Sequence, residues 1–319
     1  MLASCLVLCA TEIALGDTEN WHRHLQGARQ VILAAKGRGK GGQELRGAEC
    51  YLRSTDGRWL LRNFAYHDVL GSVTSTEGPL LRGAYWVDKD STDTVVDAYV
   101  GIGSGVLAIL SEISYLATER VFPTHEGNIL NEDEEGNIEM KVEFEPGDPE
   151  FWETADELEA KLQQYVFPDC PDSALVELAE AYRHSAFIVL YRKQRLFLDT
   201  YPQKSVGRSM PLIVSKLSES INSTIARIEQ IPSQSLPECG LLFPLFMVGG
   251  ETREAKHIEM VRVRIQTLLK DRGFGNLAKA QEVLEELWRL RVSGARGPEG
   301  RDLDWMDILA RKGWRLMLS

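Results

Sequence analysis

Cysteine is scarce in this sequence and does not occur in closely spaced pairs. The five cysteines, Cys5, Cys9, Cys50, Cys170 and Cys239, are scattered over 319 residues. An odd number at such spacings excludes the dense disulfide framework of a small secreted domain. It also excludes a zinc module, which needs closely spaced sets of cysteine or histidine ligands. The pattern predicts reduced, mostly buried thiols in an intracellular protein.

The sequence also lacks an apolar run of the roughly 20 residues that cross a bilayer. The run 241–248 is short and contains Pro244. Residues 1–10 are apolar, but the first basic residue is Arg23, whereas a signal peptide begins with a positive region. Apolar residues continue at helical spacing to Leu15, so we expect a core helix here and no membrane association.

Positive charge is in deficit. The chain has 36 Lys and Arg against 47 Asp and Glu, which gives a net charge of −11 and an isoelectric point of about 5.2. Because nucleic-acid binding needs clustered basic residues, we expect no direct nucleic-acid binding by this chain. A hydrophobic content of 44% and a charged content of 26% are ordinary for a folded globular protein.

Alternating strand patterns are missing, and helical periodicity dominates. Ile213, Leu217, Ile221, Ile225 and Ile228 recur at steps of three and four and form one apolar stripe. The fold is therefore predicted to be all-α, an irregular multi-helix bundle of pairwise-packed amphipathic helices. The predicted helices are 1–15 and 19–35 with a break at Gly16 and Asp17, then 57–72, 92–120, one capped by Asp172 that continues through Phe197, 209–229, 253–270, one around 277–287, and one capped by Asp302 and ended by Gly313.

The least regular stretch is 122–149, which contains four consecutive acidic residues at 132–135. Such runs form solvated loops or disordered inserts. The stretch separates two helical blocks and is the candidate domain boundary. We interpret it as an acidic loop or insert within one domain of residues 1–319. The glycine-rich basic segment 36–47 and the segment 75–89 are predicted to be loops.

Glycine patterns that resemble catalytic or phosphate-binding loops fail on their context. Gly37, Gly39 and Gly42 have the spacing of a dinucleotide-binding motif, but that motif joins a strand to a helix, whereas a helix precedes these glycines. Ser104 has glycine on both immediate sides, and a nucleophile elbow needs glycine two residues away on each side. We therefore predict neither a nucleotide site nor a serine nucleophile.

The histidines do not stand at catalytic or metal-binding spacings. His22 and His24 point to different faces of a helix and cannot share a metal. His67 and Asp68 are adjacent, so packing or local hydrogen bonding explains them better than acid–base chemistry. With His184 they are the weak candidates for an alternative in which this scaffold binds a small molecule or acts as an enzyme. We assign no catalytic, cofactor-binding or metal-ligating residue.

The tryptophans allow two interpretations. Large aromatic residues on amphipathic helices usually fill the core, and this is the favoured interpretation. The alternative is that they line a ligand pocket between helices. The residues concerned are Trp21, Trp59, Trp288, Trp305 and Trp314.

Four segments, taken in order, resemble one family. They are LVLCATE (6–12) with WHRHLQGA (21–28), LLRNFAYHDV (60–69), LFPLFMVGGE (242–251) followed by Arg253, and VLEELW (283–288) with DWMDIL (304–309) and GW (313–314). Together they extend over almost the whole chain. In their order, spacing and Phe-Pro-Leu-Phe core they are similar to the fungal-specific transcription factor domain, the regulatory region that usually follows a binuclear zinc-cluster module.

The resemblance implies an all-α regulatory domain that acts in the nucleus on transcription. Its implied partners are other transcription regulators or a homologous subunit, with a small-molecule effector as an option. The 319 residues hold no six-cysteine cluster, basic linker or coiled coil, Gly250 stands where the family usually has cysteine, and Met1 resembles an internal start. DNA binding, zinc and dimerisation are therefore not carried over. A further alternative is an incomplete core, in which the first helix exposes an apolar face.

Overall fold

A computed structural model describes residues 1–39, 42–87, 96, 101–116, 149–202, 205 and 207–319. Helices dominate this part of the chain, which confirms the predicted all-α class. None of the described helices is both long and apolar enough to cross a membrane. The helices are α1 (Leu2–Leu15), α2 (Asn20–Leu33), α3 (Glu49–Leu52), α4 (Thr55–Val73), α5 (Ser104–Tyr115), α6 (Pro149–Gln164), α7 (Ser173–Thr200), α8 (Met210–Gln230), α9 (Leu242–Glu251), α10 (Ala255–Arg272), α11 (Gly275–Val292) and α12 (Trp305–Lys312).

Several helix ends lie where local signals place them. α1 ends at Gly16, whose φ of 78° is in the left-handed region that glycine adopts at low cost. The Asp17 carboxylate accepts hydrogen bonds from the backbone N–H of Glu19 at 2.8 Å and of the following residue, which satisfies free amides at the start of α2. Asp172 accepts in the same way at the start of α7. These three predicted signals are confirmed.

The cap of α12 is Asp304 and not the predicted Asp302. Asp304 Oδ1 accepts from the N–H of Met306 at 2.8 Å, and Asp307 Oδ2 accepts from the N–H of Asp304 at 2.9 Å, which is a capping box. Asp302 is exposed and pairs with two surface arginines. The segment offers an aspartate at both positions, and only the reciprocal bond with Asp307 decides between them. α12 ends at Gly313, as predicted.

The segment predicted as a loop at 36–47 contains a short antiparallel hairpin. Its strands are β1 (Lys36–Arg38) and β2 (Glu44–Arg46), paired so that Gly37 faces Leu45. Leu45 is the one fully buried strand residue, and this single inward contact is too little to produce a visible alternating pattern. The prediction that strands are absent is therefore wrong here, although the all-α class stands.

α6 was not predicted, because its first residue was assigned to the acidic stretch. Residues 122–148 of that stretch lie outside the described residues, so its interpretation as an insert stays a prediction. Pro149 opens α6, in the first turn, where proline is tolerated. The buried apolar residues of α6 recur at helical spacing: Phe151, Trp152, Ala155, Leu158 and Leu162.

The helix predicted at 92–120 is shorter in the structure. α5 covers only Ser104–Tyr115, and Gly101 before it has a φ of 57°, which interrupts a helix. Residues 92–95, 97–100 and 117–120 of the predicted helix lie outside the described part of the chain.

α7 and α9 form the centre of the bundle. α7 is 28 residues long, packs along α8 and also contacts α5, α6 and α9. All ten residues of α9 are buried, and α7, α8, α10 and α11 surround it. α1 and α2 pack on each other and on α4, and α1 also reaches α11.

α1 and α11 meet at a backbone contact between two glycines. A Cβ atom on Gly275 would lie 2.5 Å from the backbone nitrogen of Gly16 and 2.6 Å from the carbonyl carbon of Leu15. No side chain fits in this space, so the contact requires glycine at position 275.

Gly275→Ala is expected to lower the free energy of unfolding by roughly 1–3 kcal/mol, because the backbone of α1 or α11 has to move. Urea unfolding followed by circular dichroism measures the change. Gly27→Ala is the matched control, since a Cβ there would lie 3.8 Å from Cys5 Sγ, an ordinary contact. It is expected to be neutral or to stabilise by up to about 1 kcal/mol. Equal stability of the two variants would contradict the tight contact.

Candidate functional site

Four charged side chains form a buried ion cluster where α7, α9 and α12 meet. Arg192 Nε lies 3.1 Å from Glu251 Oε1, and Arg192 Nη2 donates to Asp304 Oδ1 at 2.6 Å. Arg195 Nη1 lies 2.8 Å from Glu251 Oε2. The Glu251 side chain is fully buried and that of Asp304 is 3% exposed. One arginine therefore joins the last residue of α9 to the cap of α12.

The neighbours of Asp304 and Arg195 in the ion cluster favour the charged forms of these two side chains. Burial alone would raise the pKa of the Asp304 carboxyl, but Arg192 and the N–H of Met306 outweigh burial and lower the pKa below its ordinary value. Burial alone would lower the pKa of Arg195, but the carboxylates of Glu251, Asp304 and Asp199 together outweigh burial and raise that pKa. Charged groups this deeply buried are costly when a partner is removed.

Glycine allows a tryptophan to pack directly on α9. Trp305 lies edge-on to Phe246, with ring centroids 5.3 Å apart. The Arg192 guanidinium carbon lies 4.4 Å from the centroid of the Trp305 ring. A Cβ atom on Gly250 would lie 2.6 Å from Trp305 Cδ1. The departure at Gly250 therefore has a structural role, since a larger residue would displace the ring.

Segments that are far apart in sequence meet around α9 and the C-terminal residues. Trp288 Nε1 donates to the Gly249 carbonyl at 2.8 Å. Trp21 Nε1 donates to the Arg315 carbonyl at 3.0 Å. A Cβ atom on Gly71 would lie 2.8 Å from the Trp21 ring. The segments that carry the family resemblance thus build one continuous core.

Asp68 holds the segment 75–87 against α4. Its carboxylate accepts from the N–H groups of Leu80 at 2.6 Å and Leu81 at 3.1 Å, and from the Tyr85 hydroxyl at 3.3 Å. Burial raises the pKa of Asp68 to about 7, although these three donors act in the opposite direction. Asp68 therefore fixes the segment 75–87 to α4 through buried hydrogen bonds, and the pKa of its carboxyl is near neutral pH.

The histidine candidates have local partners and are not joined to Asp68. His67 Nδ1 lies 2.8 Å from the Asn63 carbonyl, and burial lowers the pKa of His67. Burial and two nearby arginines lower the pKa of His184 to about 4. Within the described residues, no group of three or more His, Cys, Asp or Glu side chains is placed to hold a metal ion.

The tryptophans fill the core more than they line a pocket. Trp21, Trp288 and Trp305 are buried, Trp314 is half-buried between Lys279 and Lys312, and Trp59 is 43% exposed.

Two cavities lie beside the core tryptophans. One is bordered by Trp305 and Arg192 and the other by Trp21 and Asp68. Each has a volume of about 20 Å³, which is room for about one water molecule.

The described residues form an all-α fold, and its buried centre contains ion pairs and close helix contacts. The whole chain, residues 1–319, matches the family described as the fungal specific transcription factor domain. The chain belongs to this family, which confirms the resemblance.

The chain is also similar to a transcriptional regulatory protein of Schizosaccharomyces pombe. The two are 23% identical over 315 residues, which is 99% of this chain and 54% of the relative. The chain therefore spans about half the length of that relative. No solved structure matches it. Family and relative both point to transcription regulation.

Asp304→Ala is expected to lower the free energy of unfolding by about 3–5 kcal/mol. It removes the α12 cap and leaves the buried Arg192 with one carboxylate partner, Glu251, instead of two. Urea unfolding measures the change at neutral pH. Asp302→Ala is the matched control two residues away, an exposed carboxylate expected to change stability by less than about 1 kcal/mol. A larger loss at position 302 would contradict the assignment of the cap and the ion cluster.

The stability of the chain is expected to depend on pH through Asp68. Because the folded-state pKa of about 7 exceeds the unfolded value of about 3.9, protonation of Asp68 stabilises the folded state. This stabilisation is full below about pH 4 and is lost as the pH rises through about 7. On going from pH 8 to pH 5, the wild type should gain roughly 2–3 kcal/mol relative to Asp68→Asn in urea unfolding. Asp56→Asn, at an exposed position of α4, is the control. Equal pH dependence of wild type and Asp68→Asn would overturn this expectation.

Proposed function

We propose that residues 1–319 form one regulatory domain that acts in the nucleus on transcription through contacts with other regulators, without itself binding nucleic acid. The observation that carries this proposal is the family match across the whole chain. The similarity to a transcriptional regulatory protein supports it, although this chain spans only 54% of that relative.

Charge and packing support action through protein contacts. The net charge of −11 is unfavourable for binding a polyanion. The two cavities beside the core tryptophans have room for about one water molecule each, so neither of them is large enough for a small-molecule effector. The alternative of an enzyme or small-molecule-binding protein has His67, Asp68 and His184 as its candidates, and their side chains have separate structural partners.

Fusion of the full chain to a heterologous DNA-binding domain is expected to change the transcription of a reporter that carries the matching sites. An increase or a decrease relative to the DNA-binding domain alone would support the proposal, because either sign shows contact with the transcription machinery. The unfused chain should leave the reporter unchanged. The Asp302→Ala fusion should keep the effect and the Asp304→Ala fusion should lose it. Unchanged transcription at equal protein level would contradict the proposal.

A further inference from the structure

The hairpin β1–β2 lies in a basic part of an otherwise acidic chain. Residues 29–62 hold eight Lys and Arg against three Asp and Glu, whereas the whole chain has a net charge of −11. The segment 36–47 takes no part in the buried ion cluster or in the contacts around α9. Its positive charge is therefore not explained by the packing of the bundle.

The two faces of the hairpin differ in composition. On the inner face Leu45 is 3% exposed, and a Cβ atom on Gly37 would lie 3.5 Å from Cys50 Sγ at α3. Successive side chains of a strand alternate between its faces, so the neighbours of these residues point away from α3. We call this side the outer face of the hairpin, and its exposed side chains are Lys36, Arg38, Glu44 and Arg46.

Positive charge exceeds negative charge on the outer face. Lys36 lies directly opposite Arg46 in the strand pairing, and like charges at such positions destabilise a sheet. Arg46 Nη2 lies 3.2 Å from Glu44 Oε1, which neutralises one cation. Lys36 and Arg38 form no ion pair with a described residue. The hairpin therefore holds like charges close together without compensating all of them.

Arg53 extends this basic surface to the turn of the hairpin. Its side chain is exposed, and its Nη2 lies 3.6 Å from the position of a Cβ atom on Gly39. It has no ion-pair partner in the part of the chain that the structure describes, and neither has the nearby Glu49. Most other described Lys and Arg side chains do pair with a carboxylate, as Lys161 does with Glu112 at 2.5 Å. The hairpin thus brings several uncompensated cations together.

We propose that the outer face of the hairpin, together with Arg53, binds an acidic peptide segment of another regulator. Charge complementarity carries this choice, because guanidinium groups bind carboxylates through paired hydrogen bonds. Carboxylates bound here also offset the repulsion between Lys36 and Arg46. A nucleic acid fits less well, because its many phosphates are repelled by the rest of a chain with a net charge of −11. The identity of the partner as a regulator rests on the proposed function.

Binding is expected to be weak and to depend on salt. Ion pairs between exposed side chains are individually weak and are screened by salt. We therefore expect a Kd of about 10⁻⁵ to 10⁻⁴ M at about 50 mM salt. The Kd should rise several-fold at about 200 mM salt, because the Debye length is then shorter.

Fluorescence anisotropy of the full chain with a short labelled peptide of alternating Glu and Gly tests the proposal. The wild type should bind this peptide and not the matched peptide of alternating Gln and Gly. Lys36→Glu should raise the Kd by about fivefold or more. The hairpin should stay folded in this variant, because opposite charges then face each other at positions 36 and 46. Lys270→Glu, at an exposed lysine of α10, changes the net charge equally and should bind as the wild type does.

Several results would overturn the proposal. They are equal binding of the two peptides, no binding of either at low salt, and an equal loss of affinity in Lys36→Glu and Lys270→Glu, which would show that only overall charge matters. Tighter binding of a labelled DNA duplex that is lost in Lys36→Glu would assign the face to nucleic acid. Tighter peptide binding after the acidic run 132–135 is changed to glutamine would show that the chain covers the face itself.

The titration does not use the reporter, so the two proposals can fail separately. Peptide binding with the expected loss in Lys36→Glu, combined with a silent reporter, contradicts the proposed function and leaves the binding surface standing. An active reporter fusion without peptide binding contradicts this inference alone.

Discussion

The contact of Arg192 with two buried carboxylates determines how the centre of this bundle is arranged. α9 is buried on all sides and ends in Glu251, so its final charge has no access to water. Arg192 on α7 reaches Glu251 and also Asp304, the cap of α12. Such clusters add little net stability compared with an apolar core, but removing one partner of a buried ion pair is costly, because the other charge is left buried without compensation. The relative placement of α7, α9 and α12 therefore depends on Arg192, and Arg195 is the second α7 partner of Glu251.

The close approach of neighbouring helices follows from this placement. Gly249 and Gly250 form the end of α9, where Leu284 and Trp305 pack against the backbone. The indole of Trp288 donates to the carbonyl of Gly249 at the same place. A tightly packed interior of this kind tolerates changes in volume poorly. Such an interior is a rigid support for surface residues, which is consistent with the proposed action through protein contacts.

Local patterns predicted much of the fold. The stripe of isoleucines on α8 gave that helix within one residue at each end, and Gly16 and Gly313 gave the ends of α1 and α12, since a helix end depends on its own few residues. The hairpin was missed because a single buried leucine leaves no periodic pattern. α6 was missed because the acidic run before it obscured the start of its apolar stripe.

The candidate site could not be predicted in the same way. Arg192, Glu251 and Asp304 each look like ordinary helix-surface charges, and only the tertiary structure brings them together. For His67 the prediction of local hydrogen bonding is confirmed, since it bonds within its own helix. The partners of Asp68 lie 12 or more residues further along the chain and had no local signal. The family, in contrast, was recognisable because its segments keep their order.

The bond between Trp21 and the carbonyl of Arg315 joins residues 294 positions apart. At a synthesis rate of about 5–20 residues per second, the first helices wait roughly 15–60 s on the ribosome before this partner emerges. Thr74 and Asn276 also bond to carbonyls of the last four residues. The first helices therefore cannot complete their core until residues 315–319 have been synthesised. During this interval their apolar surfaces are available to chaperones.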